Sequence, residues 1–171
     1  MTTLIEHAQK LAKFLADVTA FTNDMKVEVC TVNNWTGSEI AMRIAQCRAY
    51  INTLNEYWKW YRRHEDFARM TYEVERLRLE ELRDQILYDR QEEVQGKTKE
   101  ERLFRAQQLV VNGGFDMEGM KKKEFSHHSY RTALDLIDRD LKNLERTRRD
   151  LAIQLECIKV DRGMVGDELA T

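Results

Sequence analysis

The chain has 171 residues, no proline and only seven glycines, and 34% of its residues are charged. This composition is typical of long helices or coiled coils and is unlike that of a β-sandwich or barrel. The formal net charge of −2 excludes a general attraction to polyanions, so any nucleic-acid site must come from local clustering of cations.

Cysteine usage and the N-terminus predict a cytoplasmic protein. The odd number of cysteines and the absence of C-x-x-C spacing argue against a disulfide framework or a zinc knuckle; the three are Cys30, Cys47 and Cys157. Glu6, His7 and Lys10 interrupt what would have to be the apolar core of a signal peptide or membrane span.

Three sequence segments have the spacing of a capping box, in which a threonine and a glutamate three residues later satisfy each other's free backbone N–H groups. These pairs are Thr3 with Glu6, Thr36 with Glu39, and Thr98 with Glu101. Each pair precedes a run of apolar residues at helical spacing, so three helices are expected to begin there.

The first helix is predicted from Leu4 to Phe21. The segment after it has Met25, Val27 and Val29 alternating with polar residues, which favours an irregular or extended connector. Residues 1–36 are therefore predicted to be an N-terminal helix and its connector.

A second, much longer helix is predicted from Gly37 to about Gln95, a stretch without a helix breaker. Its apolar residues recur at alternating steps of four and three, which predicts a partner helix along most of its length. These α2 seam positions are Ile40, Ile44, Cys47, Ile51, Leu54, Trp58, Tyr61, Glu65, Ala68, Tyr72, Glu75, Leu79, Leu82 and Ile86. The length exceeds what a compact domain needs, so part of this helix is expected to contact another subunit.

After Gly96, the sequence predicts a short helix, a turn at the "NGGF" segment, and a last helix from near Lys122 to about Asp161. The last helix repeats the three-four spacing; its seam positions are His127, Tyr130, Leu134, Ile137, Leu141, Leu144, Arg148, Leu151, Leu155 and Ile158. The predicted fold is all-α: a long helical, coiled-coil-like hairpin over residues 37–162, a shorter N-terminal helix, and a flexible tail over residues 163–171.

The segment "LNEYWKWYRRHEDF" concentrates aromatic and cationic residues and has two interpretations. A helix turns by about 100° per residue, so Trp58 and Tyr61 belong to the seam while Trp60 belongs to a second row. That row consists of Tyr57, Trp60, His64, Phe67, Thr71 and Val74. Packing against the N-terminal helix or another subunit predicts interface roles for Tyr57, Trp58, Trp60, Tyr61 and Phe67, whereas a ligand face would use the aromatic rings to stack bases.

Basic residues that would contact phosphates fall in several clusters: Lys59, Arg62, Arg63, Arg69, Lys97, Lys99, Lys121, Lys122 and Lys123. Folding back of the two long helices would bring the two basic turns, around Lys97 and Lys121, near the same end of the molecule. In the alternative interpretation these cations are solvated and pair with nearby carboxylates on their own helices.

Among the charged seam positions, Glu65 or Glu75 is predicted to form a buried ion pair with Arg148, which would set the register of the two long helices. In the alternative interpretation, all three side chains reach the surface.

Signatures of enzymes are missing: the histidines lack metal-ligand spacing, "NGGF" lacks the residues of a phosphate loop, and no serine has a nucleophile-elbow setting. The sequence therefore predicts neither catalysis nor a cofactor or metal.

The helix "RAYINTLNEYWKWYRRHEDFARMTYEVERLRLEELR", the segment "TKEERLFRAQQL" and the closing helix "YRTALDLIDRDLKNLERTRRDLAIQLECIKVDRG" together resemble the layout of the UvsY-type recombination mediators of T4-like phages. The resemblance covers roughly residues 45–163 and consists of element order and scattered aromatic and basic positions; residues 1–36 and a longer middle segment depart from it. It implies a homo-oligomer that binds single-stranded DNA, with a recombinase and a single-strand-binding protein as partners. It also implies phosphate contacts for Arg62, Arg63, Arg69 and Lys121 to Lys123.

A second hypothesis is a non-enzymatic phage assembly, packaging or adaptor protein, or an inhibitor, that acts through protein–protein contacts alone. Long helices with two apolar sides suit such a protein equally well, because protein interfaces also use aromatic anchors.

Overall fold

A computed structural model describes the backbone of residues 4–30 and 35–168 and the side chains of residues 5–26 and 35–160. All the elements in these ranges are helices, which confirms the predicted all-α fold: α1 is Leu4–Cys30, α2 is Gly37–Asp89, α3 is Lys99–Asn112 and α4 is Met117–Glu168. Within the described residues, none of these helices is both long enough and apolar enough to cross a membrane.

One of the predicted capping boxes is complete, and a second is half formed. At the start of α2, the Thr36 amide donates to the Glu39 carboxylate over 2.7 Å, and the Glu39 amide donates to the Thr36 hydroxyl over 3.3 Å. At the start of α3, the Thr98 hydroxyl accepts from the Glu101 amide at 3.1 Å, but the Glu101 carboxylate accepts from the Lys97 amide at 2.7 Å instead of the Thr98 amide. The first predicted box involves Thr3, which lies outside the described residues.

Helix α1 is longer than predicted, because it continues through the expected connector to Cys30. The buried residues Val18, Phe21 and Met25 follow one another at helical spacing, so Met25 extends the apolar face of the helix. The alternation of Met25, Val27 and Val29 favoured an extended connector, and that prediction is wrong because the segment is helical. Only residues 31–36 are left for the connector, of which 31–34 lie outside the described residues.

The ends of α2 and α4 also differ from the prediction. Helix α2 ends at Asp89, and residues 90–94 form turns that bury Val94. Helix α4 begins at Met117 instead of near Lys122, because the Asp116 carboxylate accepts a hydrogen bond from the Gly119 amide at 2.8 Å and caps the helix. It continues to Glu168, through most of the segment predicted as a flexible tail; residues 169–171 lie outside the described residues.

The chain divides into two compact units. The first comprises Met1–Trp60 and Leu134–Thr171, and its core is mostly apolar, with Thr22, Asp140 and Thr147 also buried. Its buried apolar side chains come from α1, α2 and α4: Leu11, Leu15, Val18, Phe21, Met25, Ile40, Cys47, Leu54, Leu134, Ile137, Leu144 and Leu151. On α1, the ring of Phe14 contacts Tyr50 and Tyr57, while that of Phe21 contacts Tyr50, so α1 runs antiparallel to α2.

The second unit is Tyr61–Ala133 and contains the end of α2, all of α3 and the start of α4. Leu79, Val110 and Met120 form its apolar cluster, one from each helix.

Two glycines make the connections from α2 to α3 and from α3 to α4 possible. Gly114 has a φ of 100°, in the left-handed region that side chains disfavour, and a Cβ at Gly96 would lie 2.9 Å from the Cβ of Glu101.

The predicted seams are confirmed with one exception. Every position of the α2 seam is at least partly buried, and so is every α4 seam position except Arg148. The Arg148 side chain is exposed, so the predicted pairing of Arg148 with Glu65 or Glu75 is wrong.

Candidate interaction surface on the outer face of α2

The packing of α2 against α4 in the second unit is polar and fixes which face of α2 points outward. His127 Nε2 lies 3.0 Å from Glu65 Oε1, and Lys123 Nζ lies 2.7 Å from Glu75 Oε1. These pairs run in opposite directions along the two helices, so the segments are antiparallel.

Tyr72 lies between those two contacts. Its hydroxyl donates to Glu124 over 3.2 Å, and its ring stacks on that of His127. Desolvation, with the Glu124 carboxylate beside it, raises the pKa of the Tyr72 hydroxyl, which therefore keeps its proton and its role as a donor.

The opposite face of α2 carries an exposed apolar row that we call the outer row: Phe67, Met70, Val74 and Leu77. Their side chains are 71%, 62%, 63% and 55% exposed respectively. At about 100° per residue, the outer row lies roughly 160° around the helix from the seam. Steps of three, four and three keep its members in line, as in one side of a coiled coil.

A strip of alternating charges runs beside the outer row, each residue three or four positions after the last: Arg62, Asp66, Arg69, Glu73, Arg76 and Glu80. Asp66 Oδ1 lies 3.5 Å from both Arg62 Nη2 and Arg69 Nη2. Arg69 also contacts Glu73 at 3.8 Å, and Arg76 contacts Glu80 at 3.6 Å. The strip has no net charge, because three arginines face three carboxylates.

The predicted aromatic residues separate into two groups. Tyr61 is 3% exposed and Trp58 is half-buried, as seam positions should be. Tyr57 and Trp60 face α1, where the ring of Trp60 stacks on that of His7 with centroids 4.0 Å apart.

Phe67 and Val74, which the sequence placed in the same second row, lie instead in the outer row. Sequence reasoning missed the other two members, Met70 and Leu77, although their spacing from Phe67 and Val74 is visible in the sequence.

Most of the predicted phosphate-contacting cations are paired with carboxylates, as the alternative interpretation expected. Lys59 pairs with Glu56 and Lys122 with Glu118, both at 2.8 Å. Arg62, Arg69 and Lys123 form the ion pairs given above. The other four of these predicted cations are exposed and form no ion pair within the described part of the chain: Arg63, Lys97, Lys99 and Lys121.

The two basic turns do not meet. Lys99 lines an open cleft of about 650 Å³ with Leu87 and Val94, at the end of α2. Lys123 pairs with Glu75, which precedes Leu87 by a distance of roughly 18 Å along the helix. Both turns therefore lie beside the last part of α2, but at different levels of that helix.

The described residues contain no group of three or more histidine, cysteine or acidic side chains with the geometry of a metal site. No protein-family model, no curated protein and no solved structure matches this chain. Function is therefore inferred from the residues and their contacts alone.

Proposed function

We propose that this chain is a non-enzymatic helical assembly protein of the cytoplasm that forms homo-oligomers through the outer face of α2. The observation that supports this proposal is the outer row itself. Its four members are large apolar side chains, in line on one helix, and each is more than half exposed.

The arrangement favours a helical partner. A continuous apolar row rimmed by charges is the surface that a coiled-coil partner covers. Scattered single apolar residues are common on protein surfaces, whereas four in register along one helix are not explained by chance exposure.

The neutral charge strip beside the row also fits a protein interface better than a phosphate-binding groove. Its arginines already face carboxylates at 3.5 to 3.8 Å. A polyanion would have to displace those carboxylates, whereas a protein partner can lie beside a neutral strip at little electrostatic cost.

Sedimentation velocity of the full chain between about 1 and 100 µM tests this proposal, with oligomers expected to appear as concentration rises. Replacing both ends of the outer row, Phe67→Lys with Leu77→Lys, is expected to leave a monomer with unchanged helix content. Phe125→Lys is the matched control, because Phe125 is 74% exposed on α4 but lies outside the row. A monomer at every concentration, or equal loss of association in both variants, contradicts the proposal.

A second candidate is binding of single-stranded DNA as a recombination accessory protein that loads a recombinase. The observation in its favour is that four of the predicted cations are exposed and form no ion pair with the described residues; of these, Arg63 lies one turn from the exposed ring of Phe67. Bases stack on aromatic rings while cations contact the phosphates.

Fluorescence anisotropy with a labelled oligonucleotide at about 50 and 200 mM salt tests this second candidate, because phosphate contacts weaken steeply as salt rises. Lys97→Gln with Lys99→Gln is expected to weaken binding and to flatten its salt dependence. The control is Lys59→Gln with Lys122→Gln, which removes lysines already paired with glutamates. Absence of binding at low salt rejects this candidate.

A further inference from the structure

The ends of the outer row carry opposite charges. Arg63 lies one turn before Phe67 and Glu81 lies one turn after Leu77, both on the line of the row and both exposed. Along the helix, this line therefore consists of a cation, four apolar residues and an anion, in that order.

Arg63 and Glu81 have no ion-pair partner among the described residues, and neither has Arg78, which lies beside the row near Glu81. On the neighbouring strip Arg62, Arg69 and Arg76 each contact a carboxylate of their own helix. The two end charges are thus available to a partner, and their separation is set by the helix at roughly 27 Å.

Resting on the proposed function, we infer that the outer row of α2 pairs with the same row of a second copy in the antiparallel direction, so that Arg63 of each copy meets Glu81 of the other. The two-fold axis then passes α2 at the level of Tyr72. Phe67 lies opposite Leu77 of the second copy, and Met70 lies opposite Val74.

The antiparallel direction follows from charge complementarity. A two-fold interface brings the same surface of both copies together. In a parallel pair, Arg63 would face Arg63 and Glu81 would face Glu81, so both ends would repel. In an antiparallel pair, both ends attract.

The charge strip along one side of the row permits this arrangement. In the antiparallel pair the two charge strips lie side by side, and each has arginines and carboxylates in equal number. Asp66, Glu73 and Glu80 already contact arginines of their own helix, so the approach of the two strips adds no net repulsion.

Charge reversal with sedimentation equilibrium of the full chain tests the inference. Arg63→Glu alone and Glu81→Arg alone are each expected to raise the dimer Kd by roughly tenfold, because both ion pairs of the dimer become repulsive. The double variant Arg63→Glu with Glu81→Arg is expected to restore the original Kd, and so is an equimolar mixture of the two single variants.

Arg131→Glu is the matched control, because it changes the net charge equally at an exposed arginine of α4 that forms no ion pair with the described residues. In a parallel dimer the single variants would leave the Kd unchanged and their mixture would associate more tightly than the original chain, which overturns the inference. An outer-row-dependent oligomer that is insensitive to these reversals also overturns it while leaving the proposed function intact. A chain that stays monomeric rejects both.

Discussion

His127 on α4 and Glu65 on α2 form a buried pair, with His127 Nε2 lying 3.0 Å from Glu65 Oε1 and the side chains only 13% and 6% exposed. Arg62 also donates to the other carboxylate oxygen of Glu65 over 3.2 Å. The carboxylate thus joins α4 to α2 and is solvated by protein groups instead of water, which offsets the cost of its burial.

His127→Ala is expected to destabilise the protein by about 2 kcal/mol, because it removes a hydrogen bond to a buried carboxylate and the ring that stacks on Tyr72. His128→Ala is the matched control at the next position, where the side chain is exposed, and should change stability by less than about 0.5 kcal/mol. Urea denaturation followed by circular dichroism measures both. Equal effects at the two positions would show that the pair does not hold the helices together.

Lys123 and its neighbour Lys122 are expected to differ in the same way. Lys123 pairs with Glu75 on another helix, whereas Lys122 pairs with Glu118 one turn earlier on its own helix. Lys123→Met should cost about 1 kcal/mol and Lys122→Met only a few tenths, because a partly buried pair between helices is less screened than an exposed one.

A double-mutant cycle of Lys123→Met with Glu75→Gln isolates the contribution of this pair. The expected coupling energy is about 0.5 to 1 kcal/mol. A coupling near zero would mean that Glu75 does not hold Lys123, which would then be free to contact a phosphate.

The sequence was sufficient to predict helices and buried faces, because both are local properties. Thr36 and Thr98 mark helix starts because their hydroxyls accept from an amide within the first turn, and heptad spacing marks the inward face. The end of α1 was missed because a short run such as Met25 to Val29 satisfies both the strand and the helix period, and only packing against the core decides between them.

Partner choice between helices was not predictable in the same way. Heptad spacing shows that Glu65 points inward, but not which residue of α4 lies opposite it. Arg148 was the expected partner and His127 is the observed one, because the register depends on how both helices pack along their whole length. The outer row was only half recognised, since its exposure depends on which face of α2 the rest of the chain covers.

The capping box at the start of α2 should respond to acid. Hydrogen bonds from the Thr36 amide and hydroxyl hold the pKa of the Glu39 carboxyl below its usual value of 4.5. A lowered pKa means that the folded helix start favours the charged form, so its contribution is present above pH 4.5 and is lost as the pH falls through the lower, folded-state value.

An NMR titration of the Thr36 amide proton is therefore expected to show a midpoint below pH 4.5. Glu39→Gln should abolish the transition. Thr36→Val removes the hydroxyl, which donates to the carboxylate and accepts from the Glu39 amide, and should shift the midpoint upward. A midpoint at or above 4.5 in the unaltered chain would be inconsistent with a formed capping box.

Cys47 and Cys157 should differ sharply in reactivity towards a thiol reagent. Cys47 is fully buried in the first unit, and desolvation raises the pKa of its thiol to about 11, whereas Cys157 is exposed. At pH 8 a thiol with that pKa has roughly a hundredfold less thiolate than an ordinary one, and burial blocks access as well.

In a Cys30→Ser background, Cys157 is thus expected to react quickly with dithionitrobenzoate, and Cys47 only after unfolding in urea. If Cys157→Ser removes the fast phase, that phase belongs to Cys157. A Cys47 that reacts as fast as Cys157 in the folded protein would refute the packing of α2 in the core of the first unit.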